Sequence, residues 1–245
     1  LFRSAVAAGN AAAERGAKWV DLNCGCPIHD VVRRRMGATL LQKPHKLARL
    51  VEGMVEGIEV PVTVKIRLGW SEDAYNASEV ARVCEEAGAE AVGIHGRTRE
   101  QRYSRAADWD EIAKVASERA IPVIGNGDVI EPDDAVRLMR HSGCAGVMIA
   151  RAAIRTPWLF RRADAAIRLA EADGRLGPAP GITEVEGVAD AEHRAELESR
   201  RAEPTLLEKF RAVRRHVDLS AIHQSPRVAA ELMRQRISWY GKSMG

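Results

Sequence analysis

The sequence predicts an α/β protein: a (β/α)8 TIM-type barrel, N-terminally incomplete in this chain, followed by a C-terminal all-helical domain. Three observations predict it. Five short apolar runs alternate with helix-like stretches, the signature of a parallel sheet with crossover helices. The C-terminal end of each run carries polar or charged residues, and in a barrel those ends converge on one mouth. From Ala191 to Met244 the pattern is helical and charged, with no further strand signal.

Positions 1–15 read as an Ala-rich amphipathic helix bracketed by Arg3 and Glu14, with no secretory cleavage pattern. The strands are expected at Lys18–Asn23, Val60–Ile66, Glu90–His95, Ile121–Gly125 and Ala145–Ala150, where β-branched residues cluster. Helices are expected at Lys43–Gly57, Ala77–Ala87, Trp109–Arg119 and Glu131–Arg140. Pro132 falls where a first-turn proline is tolerated, and Gly88 and Gly143 fall where helices stop. No G-x-G-x-x-G follows a first strand, which counts against a dinucleotide-binding doubly wound sheet. Eight strands close a barrel and five are found, with Leu1–Phe2 read as the last residues of another. The chain is therefore expected to be incomplete at its start. The expected domains are 1–173 for the barrel portion, 174–190 for a Gly- and Pro-rich linker, and 191–245 for the helices, where Val228, Leu232, Ile237 and Trp239 are the apolar positions.

At 245 residues and 46% hydrophobic the chain can bury a sizeable core, and no run reaches the roughly 18 consecutive apolar residues of a membrane span. Four cysteines in a chain of this length do not suggest a disulfide scaffold, and a reducing, cytoplasmic setting is expected. Net charge is +3 but uneven: Lys and Arg number 20 against 21 Asp and Glu over 1–150, and 17 against 13 over 151–245. The arginine excess in the second part leans toward an anionic partner such as nucleic acid, although a solvated helical surface reads alike. No stable protein partner is inferred.

The stretch Asp21–Leu41, DLNCGCPIHDVVRRRMGATLL, is the most informative. Asn-x-Gly-Cys-Pro at a strand end puts Cys26 in the mouth. A thiol with an ordinary pKa near ~8.5 is protonated at neutral pH, so it can deliver a proton to carbon during a reduction. The competing readings are a buried structural thiol and a metal site from Cys24, Cys26 and His29, which strand alternation makes awkward. Lys65 interrupts an apolar strand and either points into the mouth or snorkels off the barrel end. His95 is either a satisfied core histidine or a ligand contact. Asn126, Gly127 and Asp128, with Ala150 and Arg151, follow the last two strands, where barrels build phosphate sites from backbone N–H groups. Arg33, Arg34 and Arg35 form a basic loop just after the Cys26 turn.

Taken in order and spacing, NCGCPIHDVV…GATLL, VPVTVKIRLGW, IHGRTREQRYSRAADWD, IPVIGNGDV and GVMIARAAIRTPWLF resemble the signature blocks of tRNA-dihydrouridine synthases. The closing RQRISWYGK is similar to the end of that family's helical domain, so the resemblance runs nearly the whole length. It implies an FMN-binding barrel, recharged by NADPH, that reduces the C5–C6 bond of a tRNA uridine. Hydride passes from reduced flavin to C6 and a cysteine, matched here by Cys26, protonates C5. Asn23 matches an asparagine that holds the uracil or orders the site around it. Lys65 matches a cation at the flavin N1–O2 edge, His95 a flavin-contacting histidine, and Asn126, Gly127, Asp128, Ala150 and Arg151 the flavin phosphate site. Beside such a mouth, Arg33, Arg34 and Arg35 are expected on RNA phosphates, joined by Arg67, Arg97 and Arg102, with Tyr103 and Trp109 packing. The family's N-terminal block has no counterpart here. An FMN barrel acting on free pyrimidines and a non-catalytic RNA-binding relative are the alternatives.

Overall fold

A computed structural model of the chain describes residues 2–101, 103–177 and 191–241. Five strands form its centre: β1 (Val20–Asn23), β2 (Val62–Arg67), β3 (Ala91–His95), β4 (Val123–Asn126) and β5 (Gly146–Met148). Their order is β1-β2-β3-β4-β5 and every neighbouring pair is parallel. That order separates the two α/β alternatives. A doubly wound sheet grows outward from a switch point, so its strand order reverses. A (β/α) barrel lays each strand beside the last, and this sheet does the same.

The described residues group into two compact units. The first contains Leu1–Asp128 and Arg137–Met148, and so holds the whole sheet. Around the sheet lie α1 (Phe2–Ala13), α2 (His29–Arg33), α3 (Pro44–Gly57), α4 (Ala77–Glu86), α5 (Trp109–Glu118) and the C-terminal part of α6 (Pro132–Ser142). The expected strands and helices are present, each shifted by a residue or two at its ends. One expectation fails: Phe2 begins α1 and does not end a strand. Ala-rich sequence propagates a helix readily, and Ala5 and Val6 of that helix pack onto the cluster of Leu50, Met54, Ile58 and Val62. Pairing Phe2 in a sheet would forfeit that contact. Residues Arg33–Arg35 also differ from a plain loop, since Arg33 closes the short α2, and a 3₁₀ turn follows over Gly37–Gln42.

The second unit comprises Val129–Val136, Ile149–Gly174 and the chain from Gly187 onward. Its helices are α7 (Arg151–Arg155), α8 (Leu159–Ala172), α9 (Ala191–Arg201), α10 (Leu206–His223) and α11 (Pro226–Gly241). Ala165 and Leu169 of α8 bury against Leu197 of α9, and Arg200 pairs with Asp164 at 2.7 Å. A capping box opens α10, with Thr205 accepting from the Glu208 amide and Glu208 accepting from the Thr205 amide. The expected linker 174–190 lies outside the described residues from 178 onward, as does Met244. No helix among the described residues is long and apolar enough to cross a membrane.

Candidate active site at the strand ends

Register puts the predicted residues on one face. Asn23 pairs with Lys65 and Lys65 with Gly93; one step of two residues further on, Arg67 pairs with His95, His95 with Asn126 and Asn126 with Met148. Residues in register on parallel strands, and residues two apart on one strand, share a face. Asn23, Lys65, Arg67, His95 and Asn126 therefore stand together at the C-terminal ends of four adjacent strands. The alternate positions Val64, Ile66, Val92 and Ile94 are fully buried on the opposite face. Polar residues at every second position of otherwise apolar strands are what made this legible in the sequence.

The Cys26 turn is built by two side chains. Asn23 Oδ1 accepts the amides of Gly25 at 3.0 Å and Cys26 at 3.1 Å, which folds the chain back sharply after β1. Arg67 Nε donates to the Gly25 carbonyl at 2.6 Å and its Nη1 donates to the Thr98 carbonyl at 2.8 Å. One buried guanidinium thus ties the Cys26 turn to the segment after β3. Cys26 is half-buried at this end of the sheet. Cys24 goes the other way, into the core, where burial pushes its thiol well up. The two cysteines therefore do not face a common ligand. Gly37 sits behind the turn with φ of +58°, and a Cβ there would stand 2.6 Å from the Cys26 carbonyl oxygen. No residue but glycine fits that position without displacing the turn.

Lys65 lies across Gly93, where a Cβ would come within 2.5 Å of Lys65 Cδ. Its ammonium meets the Ile66 carbonyl at a long 3.5 Å. Burial first, and the Arg67 charge second, lower its pKa to about 8. The Asp21 charge opposes this without restoring the ordinary value, so the cation is held at cost.

His95 is held neutral. Burial, then the charges of Arg67, Lys65 and Arg97, lower its pKa to about 3. Arg97 Nη1 lies 3.3 Å from His95 Nε2; a guanidinium only donates, so Nε2 accepts and the ring proton is on Nδ1. The depressed pKa has a stability consequence. Between the ordinary value of 6.5 and the folded value of about 3, the unfolded chain binds a proton that the folded chain excludes. Stability contributed by neutral His95 is complete above pH 6.5 and is lost as pH falls toward 3, by at most about 5 kcal/mol. Urea unfolding at pH 7 and pH 4 is expected to show a smaller acid loss in His95→Gln than in the wild-type chain. Equal losses in both would remove His95 as the source.

Asn126, Gly127 and Asp128 follow β4. Asn126 Nδ2 donates to the Met148 carbonyl at 2.8 Å, linking the ends of β4 and β5. Gly127 and Asp128 both have positive φ, at +128° and +58°. Close packing of Gly127 on Ala107, 2.7 Å from a would-be Cβ, excludes any larger residue. The Asp128 carboxylate accepts from Arg97 Nη2 at 2.7 Å and from the Ala107 amide at 2.7 Å. Arg97 is 1% exposed and also donates through Nε to the Arg105 carbonyl at 2.8 Å. The expectation that Arg97 reaches RNA phosphate is therefore corrected: it is buried in an ion pair with Asp128.

Trp109 packs as expected and donates its indole N–H to the Gly127 carbonyl at 3.2 Å. Tyr103 does not pack as expected. It is 56% exposed and stacks on His95 at 6.4 Å between centroids. Its signal in the sequence was its place, eight residues beyond a strand-end histidine in a polar loop. Arg33, Arg34 and Arg35 are exposed beside the Cys26 turn, and Arg33 makes a loose 3.9 Å approach to Asp30. Arg102 lies outside the described residues. Ala150 and Arg151 belong to the second unit, Ala150 as the residue capping α7 and Arg151 as its first residue.

Residues 3–176 match the family model described as dihydrouridine synthase. The chain belongs to the dihydrouridine synthase family. A probable tRNA-dihydrouridine synthase of Rhodobacter capsulatus is 43% identical over 164 residues, covering 67% of this chain and 50% of that protein. A probable tRNA-dihydrouridine synthase of Mycobacterium leprae is 37% identical over 228 residues, 91% of this chain and 52% of its own. The tRNA-dihydrouridine synthase B of Pseudomonas aeruginosa is 38% identical over 184 residues, 75% and 54% respectively. The chain thus spans about half the length of the curated relatives it matches. The strand-end face described above lies within the stretch that matches the dihydrouridine synthase family.

Proposed function

We propose that this chain forms the greater part of the active site of an FMN-dependent tRNA-dihydrouridine synthase, in which Cys26 is the proton donor. The observation that carries the reading is the strand-end face: Asn23, which orders the turn of the half-buried Cys26, stands in register with a buried lysine, and a neutral histidine shares that face. The residues present suit a flavin. Lys65 offers a buried positive charge to the anionic edge of a reduced ring, and a small residue, Gly93, leaves the strand face low beside it. Bound FMN, recharged by NADPH, would supply the two electrons that saturate the uridine C5–C6 bond.

The protein's own residues do the rest. Cys26 Sγ gives its proton to C5. Asn23 and Arg67 hold the turn that carries the sulfur, and the exposed tip of Tyr103 lines the same mouth. His95, kept uncharged, presents a polar ring to the flavin without adding a second positive charge. Backbone amides around Asn126, Gly127 and Asp128 serve the phosphate end, with the Asp128 carboxylate acting through Arg97 and Ala107 to fix the loop. The resemblance, and no geometry, carries Ala150 and Arg151 to the same phosphate. Arg33, Arg34 and Arg35 meet RNA phosphates. In this reading 1–173 binds FMN, 174–190 links, and the arginine-rich helices of 191–245 approach tRNA.

Dihydrouridine mapping in tRNA from a strain lacking the gene tests the reading. One or more tRNA positions are expected to carry uridine in place of dihydrouridine and to be restored by the gene on a plasmid. An unchanged dihydrouridine map would refute it.

A further inference from the structure

The thiol stands at the base of a closed loop. The Cys26 carbonyl accepts the Ala38 amide at 3.0 Å, the Ile28 carbonyl accepts the Val31 amide at 3.0 Å, and the Val31 carbonyl accepts the Met36 amide at 3.1 Å. With Gly37 seated against Cys26, the segment from Cys26 to Ala38 is tied to the sulfur-bearing turn at both ends. Its outer surface carries two unlike groups. Ile28 is 61% exposed and Met36 is 43% exposed, and each lies within two residues of the Cys26–Ala38 junction. Between them in the chain stand Arg33, Arg34 and Arg35, all exposed, with Arg35 at φ of +59°, a conformation seldom adopted by a side chain of this size.

A single ligand class combines what this surface offers. Guanidinium groups suit phosphates, and bare apolar side chains suit the faces of unstacked bases. Enzymes that act on a base in folded nucleic acid take it out of the stack, and apolar side chains inserted between base steps hold open the gap.

We propose that Ile28 and Met36 form an apolar lip that enters the space left by the extruded uridine, while Arg33, Arg34 and Arg35 grip the flanking phosphates. Lip and thiol then move as one piece, so extrusion and protonation are coupled through the Gly37–Ala38 junction. The inference rests on the uridine-reducing reading above and adds a role that reading does not require.

The test uses the complete gene product with bound FMN and an unmodified tRNA carrying 2-aminopurine next to the target uridine. Binding of the wild-type protein is expected to raise the fluorescence as the neighbouring stack opens. Ile28→Ala/Met36→Ala is expected to lose most of that rise and to form dihydrouridine about tenfold or more slowly in a single turnover. Ile28→Leu/Met36→Leu restores both. A slow double-alanine variant with the full fluorescence rise would overturn the lip, because the defect would then lie in thiol placement. Unchanged turnover would overturn it too. A wild-type protein that opens the stack but forms no dihydrouridine defeats the uridine-reducing reading alone, and the lip is still judged on the fluorescence.

Discussion

Cys26→Ala is expected to lower single-turnover dihydrouridine formation by about 10²- to 10⁴-fold, the range a positioned general acid contributes, while the FMN absorbance of the complete gene product is unchanged. The two halves of that expectation come from different contacts. Cys26 is half-buried at the C-terminal end of the sheet, and in the proposed reading its loss removes the proton donor. The turn itself is held by Asn23 Oδ1 on the Gly25 and Cys26 amides and by Arg67 on the Gly25 carbonyl, none of which involves the sulfur. The alanine chain therefore keeps its site geometry. Cys26→Ser is expected to fall between the two, since a hydroxyl is a far weaker acid than a thiol. Normal turnover in Cys26→Ala would dismiss the thiol as proton donor.

The second large effect is on stability. Arg97, 1% exposed, faces the Asp128 carboxylate at 2.7 Å, and Asp128 keeps 27% of its side chain in solvent. Removing one partner of a buried pair leaves a charge uncompensated and costs about 3–5 kcal/mol. Arg97→Met is expected to lose that much in urea unfolding, because the Asp128 carboxylate then retains the Ala107 amide alone of these two partners. Asp128→Asn tests the charge without disturbing the backbone, since asparagine tolerates the φ of +58° at this position. Its cost is expected to be of the same order, because the 1%-exposed Arg97 is left with the Arg105 carbonyl but without the carboxylate. The double variant Arg97→Met/Asp128→Asn is expected to lose less than the sum of the singles. Losses under about 1 kcal/mol in both singles would mean that solvent screens this pair as it does surface pairs.

Those two residues also mark where sequence reading stopped. The strand ends were legible because a polar residue at alternate positions of a β-branched run has a single physical explanation, a face directed at something other than core. Asn23, Lys65, His95 and Asn126 were found that way, and the register brings them to one end of one face; Cys26 was read from the Asn-x-Gly-Cys-Pro turn that follows β1. Arg97 was not separable from Arg67 or Arg33 by the same reasoning. An arginine after a strand reads alike whether its partner is a ligand or a carboxylate 31 residues further along the chain, and only the fold brings Asp128 to it. Tyr103 was missed for the converse reason. An aromatic residue is core by default, and its 56% exposure follows from a loop path that local pattern does not encode. Phe2 was misread because two apolar residues at a chain end carry no periodicity, while the alanines after them drive a helix.

The central claim is that Lys65 and His95 face one reduced flavin, with Cys26 turned to the base that lies against it. Titration of the complete gene product with reduced FMN, anaerobically and in two buffers of different ionisation enthalpy, tests it most directly. With its pKa lowered to about 8, Lys65 is largely neutral at pH 9 in the free protein and regains its proton against an anionic ring. Binding is therefore expected to take up close to one proton at pH 9, with weaker binding and no uptake at pH 9 in Lys65→Met. Undiminished affinity in Lys65→Met, or the same proton uptake without the lysine, would contradict the account.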